Sequence, residues 1–183
     1  MSPEDADLML KAGQGDSAAF SELVDKYRDR TVNMLFRMVG NRDDAEELAQ
    51  DAFLNAWRAA GRYRHEAAFS TWFYRIVTNL AINHRHKKSP DRLPNFEPAS
   101  DVASAADVVA QTESENRIWQ ALHELPVRQR AALVLCRVEG CSYQEAALAM
   151  DVSVESIRAL IARGRDALRE RLRPILSSRV AKE

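Results

Sequence analysis

The chain has 183 residues, with 26 Lys and Arg against 27 Asp and Glu, a net charge of −1 and 46% hydrophobic residues. This length suits one ordinary domain or two small ones, and the balanced charge alone does not indicate a nucleic-acid partner. The acidic first residues predict no signal peptide, and no apolar run approaches the roughly 20 residues that span a bilayer. We therefore expect a cytoplasmic protein with no membrane segment of its own.

The pattern of the first 60 residues predicts two consecutive helices. Asp16 can cap the first, whose apolar residues keep a 3.6-residue period, and Gly40 suits its end. The second carries an apolar stripe from Ala45 to Trp57. Opposite that stripe we expect a polar face with one exposed leucine, consisting of Asp44, Glu47, Gln50, Asp51, Leu54 and Asn55.

A third helix, beginning near Ser70 or Thr71, combines aromatic, amide and basic side chains. Residues 62–88 hold six Lys and Arg but one acidic residue, which predicts a local basic face. Basic groups hold a nucleic-acid backbone, and aromatic and amide groups can stack on or bond to unpaired bases, so this segment suits single-stranded DNA. We expect the buried side to contain Trp72, Phe73, Ile76, Val77 and Leu80. We expect the side chains that point away from the core to be Tyr74, Thr78 and Arg85.

The segment 89–112 separates two helical regions. It has prolines at positions 90, 94 and 98 and then small and acidic residues, a composition typical of a flexible linker. Helical patterns resume over residues 113–178, where Pro126 is placed to open a helix that Gly140 closes. No segment has a strand pattern of useful length. We therefore predict an all-α fold of two small helical domains, residues 5–88 and 113–178, joined by the linker.

Residues 142–173 predict a helix-turn-helix. Ser142 and Glu145 form a capping-box pattern at the start of the first helix, and Asp151 can adopt the left-handed conformation of a short turn. Ser153 can then cap the second helix. In this motif the first residues of the second helix meet base edges and basic residues along it engage phosphates, which indicates a reader of duplex DNA. The alternative interpretation is a short helical hairpin with a solvated arginine face.

The second of these helices has two distinct sides. Its buried stripe is predicted to contain Ile157, Leu160, Ile161, Gly164, Leu168 and Leu172. Its outer side and flank carry Glu155, Ser156, Arg158, Ala159, Ala162, Arg163, Arg165 and Arg169.

Few other residues suggest a metal site or a catalytic site. Cys136 and Cys141 are five apart without a CxxC pattern, and His123 does not complete a zinc-ligand spacing, so we expect core thiols and no metal. The sequence has no nucleophile constellation, acid and base pair or phosphate-binding glycine loop, which predicts no enzymatic activity and no cofactor.

Three motifs, in this order, resemble those of the extracytoplasmic-function (ECF) group of bacterial sigma factors. The family's polymerase-binding helix is similar to DAEELAQDAFLNAW, residues 44–57. Its helix that melts and reads the minus-ten promoter element is similar to FSTWFYRIVTNLAINHRHKK, residues 69–88. The start of its minus-thirty-five reading domain is similar to ELPVRQRAALVLCRVEGCSYQEAA, residues 124–147.

The resemblance implies a role for each surface. Core RNA polymerase would be the partner, through its β flap and its β′ clamp helices, and the clamp helices would meet the polar face of residues 44–55. Opened minus-ten DNA would lie near Arg62, Arg64, Phe69, Ser70, Thr71, Trp72, Arg75, Asn79, Asn83, Arg85, Lys87 and Lys88. Duplex minus-thirty-five DNA would meet Ser153, Glu155, Ser156, Arg158, Ala159, Ala162, Arg163 and Arg165. An anti-sigma factor that holds both domains is also implied.

The recognition helix departs from the family's usual GTVKSRLxRAR. Arg158 replaces lysine and can still contact phosphate or guanine, whereas Ala159 and Leu160 replace polar or basic groups. The resemblance therefore does not carry over a promoter sequence. These losses favour one alternative, a sigma-like mimic that titrates an anti-sigma factor, whereas the retained Arg158, Arg163 and Arg165 argue against it. A second alternative, a free-standing helix-turn-helix regulator, leaves the first two motifs unexplained.

Overall fold

The computed structural model describes residues 3–64, 67–87 and 117–180, with side chains for residues 4–64, 67–84 and 117–173. Within these ranges every regular element is helical, so the predicted all-α class is confirmed. The linker predicted over residues 89–112 lies outside the described residues. No helix in the described part of the chain is long and apolar enough to cross a membrane.

The N-terminal half contains four α-helices and a short 3₁₀-helix. In chain order they are α1 (Pro3–Gly13), α2 (Ser17–Val39), α3 (Arg42–Ala59), the 3₁₀-helix Ala60–Arg62, and α4 (Phe69–Lys87).

The C-terminal half begins with a helical segment, α5, over residues 117–123. It continues with α6 (Val127–Leu133), which extends into a π-helical turn (Val134–Val138), then α7 (Tyr143–Met150) and α8 (Val154–Val180).

The predicted limits of α2 are confirmed by its caps. The Asp16 carboxylate accepts hydrogen bonds from the backbone N–H groups of Ala18 and Ala19, at 3.0 and 3.1 Å. Gly40 ends the helix in the left-handed conformation, with φ 86°. Asn41 follows directly and caps α3 through its side chain, so two long helices meet at a sharp corner.

Helix α1 was not predicted as a separate element, and two local features hold it in place. The buried Asp5 carboxylate accepts hydrogen bonds from Lys26 Nζ at 2.5 Å and Tyr27 Oη at 2.7 Å. Gly13 lies so close to the 3₁₀-helix that a Cβ there would be 2.8 Å from the carbonyl oxygen of Ala60. Helix α1 therefore covers the open end of the α2 and α3 pair.

Aromatic rings join α4 to the first three helices. Phe73 is fully buried and stacks on Phe53 of α3 and on Phe69, with ring centroids 4.9 and 5.5 Å apart. Tyr27 of α2 meets both Phe69 and Phe73 edge-on. Such pairs add directional preference to the burial of large apolar area, and they fix the position of α4 on this half of the molecule.

The predicted helix-turn-helix is confirmed in detail. Ser142 and Glu145 form both hydrogen bonds of the capping box, and Asp151 follows α7 with φ 53° and ψ 52°. The Ser153 hydroxyl accepts from the N–H of Ser156 at 3.1 Å. Gly164 is buried where α8 crosses α6, so the absence of a side chain allows a close approach.

The two halves pack on each other along α4. One side of α4 lies against α2 and α3, and another lies against α6 and α7. The prediction that Tyr74 and Thr78 point away from the core is therefore wrong, since both are buried. The physical reason is that the C-terminal half covers the side of α4 on which they lie, and one continuous apolar core runs through both halves.

Candidate functional site

The polar face of α3 is an open surface. Glu47, Gln50 and Asp51 are exposed, Asn55 is half-buried, and the Leu54 side chain is 51% exposed. Because an exposed leucine has no packing role of its own, this group suits contact with another protein.

Asp44, at one end of this face, contacts other residues of the same chain. It is half-buried, and its carboxylate lies 3.2 Å from Nε2 of His84 on α4. Its N–H group also donates to the capping side chain of Asn41 at 2.9 Å. Asp44 therefore helps to position α3 against α4.

Trp57 belongs to the same open face, which corrects the sequence interpretation. We expected it to be buried on the apolar stripe, but it is 37% exposed. Its ring centroid lies 5.1 Å from that of Phe20 on α2, which supports the indole from one side. The helical spacing gave a usable signal, because Trp57 follows Leu54 by three residues and shares its side of the helix.

A second candidate surface starts in the segment before α4. Arg62 and Arg64 are exposed, and Arg64 Nη1 donates to the carbonyl oxygens of Gly61 and Tyr63 at 3.3 and 3.1 Å. The ring of half-buried Trp72 lies 5.3 Å from that of Tyr63, in an edge-to-face arrangement. Two exposed cations thus flank Tyr63 in the sequence, and the Tyr63 ring contacts the partly accessible Trp72.

This surface continues along α4 as a polar stripe. Arg75, Asn79 and Asn83 follow one another at four-residue spacing, and all three are exposed, as expected for residues on one side of a helix. Arg85 and Lys87 belong to α4, but their side chains lie outside the described part, as does Lys88.

The residues at the start of α4 have a different environment. Phe69, Ser70 and Thr71 are all buried, with at most 7% of their surface exposed. In the packed arrangement of the two halves they cannot meet a nucleic acid.

The third candidate surface is the outer side of α8. Its exposed members are Ser153, Glu155, Arg158, Ala159, Ala162, Arg163 and Arg165, and Ser156 is half-buried. The Arg163 Nε group donates to the carbonyl oxygen of Ala159 at 3.2 Å, and Arg169 pairs with Asp166 at 3.7 Å across exposed surface. The predicted buried stripe is confirmed for Ile157, Ile161 and Gly164, while Leu160, Leu168 and Leu172 are half-buried.

A cluster of charges around one buried carboxylate lies where the two halves meet, and the sequence interpretation missed it. The Glu139 side chain is 3% exposed, and its carboxylate lies 2.6 Å from Arg30 Nε and 3.6 Å from Arg37 Nη1. Tyr74 donates its hydroxyl to the same carboxylate at 3.4 Å. The only sequence signal was an acidic residue directly after an apolar helix and before Gly140. We call these four residues the Glu139 cluster.

The environment of the cluster changes the ionisation of its members. The hydrogen bond to Glu139 raises the pKa of Arg30 above its ordinary value. Burial, followed by the negative charge of Glu139, raises the pKa of the Tyr74 phenol. Both residues therefore keep their protons at neutral pH and can donate hydrogen bonds to the carboxylate.

A cavity of about 390 Å³ opens beside this cluster, lined by Asp5, Lys26, Tyr27, Arg30, Ser70, Thr71, Tyr74, Glu139, Gly140, Cys141 and Glu145. Its charged groups are largely satisfied by one another, for example Asp5 by Lys26 and Glu139 by Arg30. Among the described residues no group of three or more His, Cys, Asp or Glu is placed to hold a metal ion.

The two cysteines are partly buried free thiols. Burial raises the pKa of both, that of Cys141 to about 12. Since the thiolate is the reactive form, both groups are poor nucleophiles at neutral pH in this environment.

The geometry defines a class of protein: a helical DNA-binding protein in which a helix-turn-helix accompanies a second basic and aromatic surface. Residues 23–90 match the family description "Sigma-70 region 2", and residues 115–168 match "Sigma-70, region 4". The chain is 35% identical to RNA polymerase sigma-H factor of Pseudomonas aeruginosa, over 94% of this chain and 96% of the relative. It is 34% identical to the ECF sigma factor SigW of Bacillus subtilis, over 88% and 93%.

Solved structures show the same fold. CnrH in complex with the cytosolic domain of CnrY has a TM-score of 0.71 at 24% identity, covering 93% of this chain and 98% of that one. RpoE in complex with the anti-sigma factor NepR, from Bartonella quintana, has a TM-score of 0.69 at 20% identity, covering 84% and 96%.

The chain belongs to the ECF sigma factors of bacterial RNA polymerase. Sigma factors are transcription initiation factors, a class that works with RNA polymerase at promoter DNA.

Proposed function

We propose that this sigma factor binds core RNA polymerase through α3, holds opened minus-ten DNA with α4 and reads minus-thirty-five duplex with α8. The observation that carries this assignment is the presence of three exposed surfaces on three different helices. One combines acids, amides and apolar side chains, and two are basic. The family relation supports this division of roles.

On α3 the proposed polymerase contact consists of Glu47, Gln50, Asp51, Leu54 and Asn55, with Asp44 at its end. We add Trp57, since its exposed indole adjoins Leu54 and large aromatic side chains contribute strongly to protein interfaces. The clamp helices of β′ are the proposed partner of this surface, and the β flap is the proposed partner of the C-terminal domain.

On α4 the proposed strand-binding residues form an open and a covered group. The exposed or half-buried members are Arg62, Arg64, Trp72, Arg75, Asn79 and Asn83. The members buried in the packed arrangement are Phe69, Ser70 and Thr71. Stacking on aromatic rings and backbone neutralisation by arginine are the usual means of holding unpaired bases. We propose the same role for Arg85, Lys87 and Lys88.

On α8 the proposed base reader is Arg158, one turn into the helix, with Ser153, Glu155, Ser156, Ala159 and Ala162 around it. Arg163 and Arg165 lie further along, where phosphates are nearer. An arginine can form two hydrogen bonds with guanine in the major groove.

The proposed domain limits are residues 5–88 and 113–178, with residues 89–112 as the linker. We further propose that the protein acts in the cytoplasm, has no enzymatic activity of its own, and is held inactive by an anti-sigma factor. The fold is similar to that of RpoE, which was solved with the anti-sigma factor NepR, and to that of CnrH, which was solved with the cytosolic domain of CnrY; this similarity supports the last point.

Run-off transcription tests the proposal. Purified core polymerase is supplied with this protein and a library of genomic promoters from the source organism. We expect discrete transcripts that depend on the protein. Complete absence of protein-dependent transcripts, with core polymerase active on a control sigma factor, would contradict the proposal.

A further inference from the structure

The outer side of α8 has a narrow strip of residues that are not basic. At 3.6 residues per turn, successive residues of a helix lie about 100° apart around its axis. Four exposed residues therefore share a sector of about 60°, and they are Glu155, Ala159, Ala162 and Asp166. The buried residues Ile157, Ile161 and Gly164 face the opposite way. We call the four exposed residues the central strip of α8.

Arginines border the central strip on both sides. Arg158 and Arg165 lie about 70–90° to one side of its centre, and Arg163 lies about 70° to the other side. All three are exposed. A helix about 10–12 Å across fits into a major groove about 12 Å wide, with one side on the groove floor and its flanks toward the walls. When the central strip faces the bases, arginines therefore face both phosphate backbones.

The first member of the central strip is an acceptor that is available to a base. Glu155 forms no hydrogen bond or ion pair within the described part of the chain. The neighbouring serines are engaged in the helix cap, since the Oγ atoms of Ser153 and Ser156 lie 3.1 Å apart and the Ser153 hydroxyl also accepts the Ser156 N–H. The carboxylate of Glu155 is therefore the polar group that can meet a base at the start of the strip.

The charge of Glu155 restricts the base that it can meet. In the free chain a first-turn glutamate interacts favourably with the positive end of the helix dipole. On the groove floor, however, the carboxylate is repelled by phosphates and by the acceptor atoms of guanine and thymine, so it needs a base amino group. Cytosine presents its N4 amino group without an adjacent acceptor of its own, whereas adenine presents N7 beside its N6 amino group. Glu155 therefore favours cytosine.

The two alanines of the central strip match a different base. Their side chains cannot form hydrogen bonds, but a methyl group can contact the C5-methyl group of thymine, the apolar group that bases present in the major groove. At 1.5 Å per residue, Ala159 and Ala162 lie about 6 and 10 Å from Glu155 along the axis, or about two and three base pairs at 3.4 Å each. The expected thymines therefore lie within about three base pairs of the cytosine.

We propose that the central strip is a sequence reader, in which Glu155 accepts a hydrogen bond from a cytosine N4 amino group and Ala159 and Ala162 contact the methyl groups of nearby thymines. The inference rests on the proposed function, because it requires α8 to lie in the major groove of the minus-thirty-five duplex, and it adds the bases that are read. In the ECF pattern GTVKSRLxRAR the corresponding positions hold glycine, serine and a variable residue. The preference is thus a property of this chain's own residues.

Selection from a promoter library tests the cytosine. Core polymerase reconstituted with the full chain is mixed with promoters whose minus-thirty-five region is randomised, and the bound promoters are sequenced. Wild type should enrich cytosine at one position. Glu155→Gln should change that preference to adenine by at least about fivefold, because a glutamine amide can form two hydrogen bonds with adenine N6 and N7. The matched control is Glu170→Gln, at an exposed position farther along the same helix, and it should retain the cytosine.

Uracil in place of single thymines tests the methyl contacts, because it removes the C5-methyl group and retains base pairing. Each such replacement near the selected cytosine should weaken holoenzyme binding about fourfold, the effect of losing one buried methyl group. Ala159→Gly should remove this effect at one thymine, and Ala162→Gly should remove it at another. Uracil at thymines outside the randomised region is the control and should leave the affinity unchanged. Uracil without effect near the cytosine, or an effect that neither glycine variant reduces, would overturn the methyl contacts.

The outcomes distinguish this inference from the proposed function. If holoenzyme containing the wild-type chain selects no preferred bases in the randomised region, α8 does not read this element, and both the proposed role of α8 and the present inference fail. If bases are selected but none is cytosine, or if Glu155→Gln retains the cytosine, the cytosine contact fails while the proposed role of α8 stands. Each variant should keep wild-type helical circular dichroism and core binding, since the substituted side chains are exposed.

Discussion

The ring of Trp57 on α3 lies 5.1 Å from the ring of Phe20 on α2, and this contact holds the indole at the surface beside exposed Leu54. The supported indole and the leucine form a small apolar centre within an acidic and amide face. Hot spots of protein interfaces have this composition, with an aromatic anchor at the centre and polar residues around it. The contact therefore explains why a tryptophan is tolerated at a solvated position.

The first prediction concerns this face. Asp51→Arg with Leu54→Arg should abolish binding to core polymerase, because the variant places two cations where the partner meets an acid and a leucine. Both residues are exposed, so the fold should be retained. Co-purification with tagged core polymerase measures the loss of binding. The control for the change in charge is Asp25→Arg, at an exposed position on α2. Unchanged co-purification of the double variant would refute the α3 assignment.

The second prediction concerns sequence reading. Arg158→Ala should weaken duplex binding by about 1–3 kcal/mol and relax the preference at one or two base pairs, because a bidentate base contact is lost. Binding of the variant to a set of single-base promoter variants measures both effects. An equal loss of affinity for every promoter variant would show that Arg158 contacts phosphate and not a base.

The third prediction concerns Arg163, which lies further along α8 and already bonds to its own helix through Nε. Arg163→Ala should weaken binding to all duplexes alike, because fewer counterions are released when one phosphate contact is lost. A salt titration should show the slope of log K against log salt reduced by about one unit. An unchanged slope would place Arg163 away from the DNA backbone.

Local features of the fold were predictable, because their causes lie within a few residues. The Asp16 cap, the Gly40 end, the capping box at Ser142 and the left-handed Asp151 each depend on side chains and backbone within one helical turn. The limits of α2 and of the helix-turn-helix are therefore predictable from these local patterns.

The contacts between the halves were not predictable from the same patterns. Arg30 and Glu139 are 109 residues apart in sequence, and no periodicity relates them. For the same reason the sequence predicts Tyr74 and Thr78 at the surface, since the pattern of α4 alone gives no sign that a second helical unit covers the side on which they lie. Trp57 is the opposite case, because its hydrophobicity predicts burial although the residue is 37% exposed.

The fourth prediction concerns the docking of α1. Gly13→Ala should reduce the free energy of unfolding by about 1–3 kcal/mol, because the new Cβ would lie 2.8 Å from the backbone oxygen of Ala60, which cannot easily move. Gly61→Ala is the matched control, since its Cβ would meet nothing nearer than 3.8 Å. Denaturant melts of both variants measure the difference. Equal free energies of unfolding for the two variants would show that α1 can move away from Ala60 without loss of stability.

The central claim is that one chain engages two separated promoter elements through two different surfaces. It is tested most directly by footprinting the complete polymerase complex on a promoter that the protein activates, with hydroxyl radicals for duplex contacts and permanganate for unpaired thymines. We expect two protected regions about 25 base pairs apart, with permanganate-reactive thymines only at the downstream one. Arg158→Ala should weaken the upstream protection, and Asn79→Ala should reduce the permanganate signal while leaving the upstream protection in place. A single protected region, or equal loss of both signals in each variant, would contradict the account.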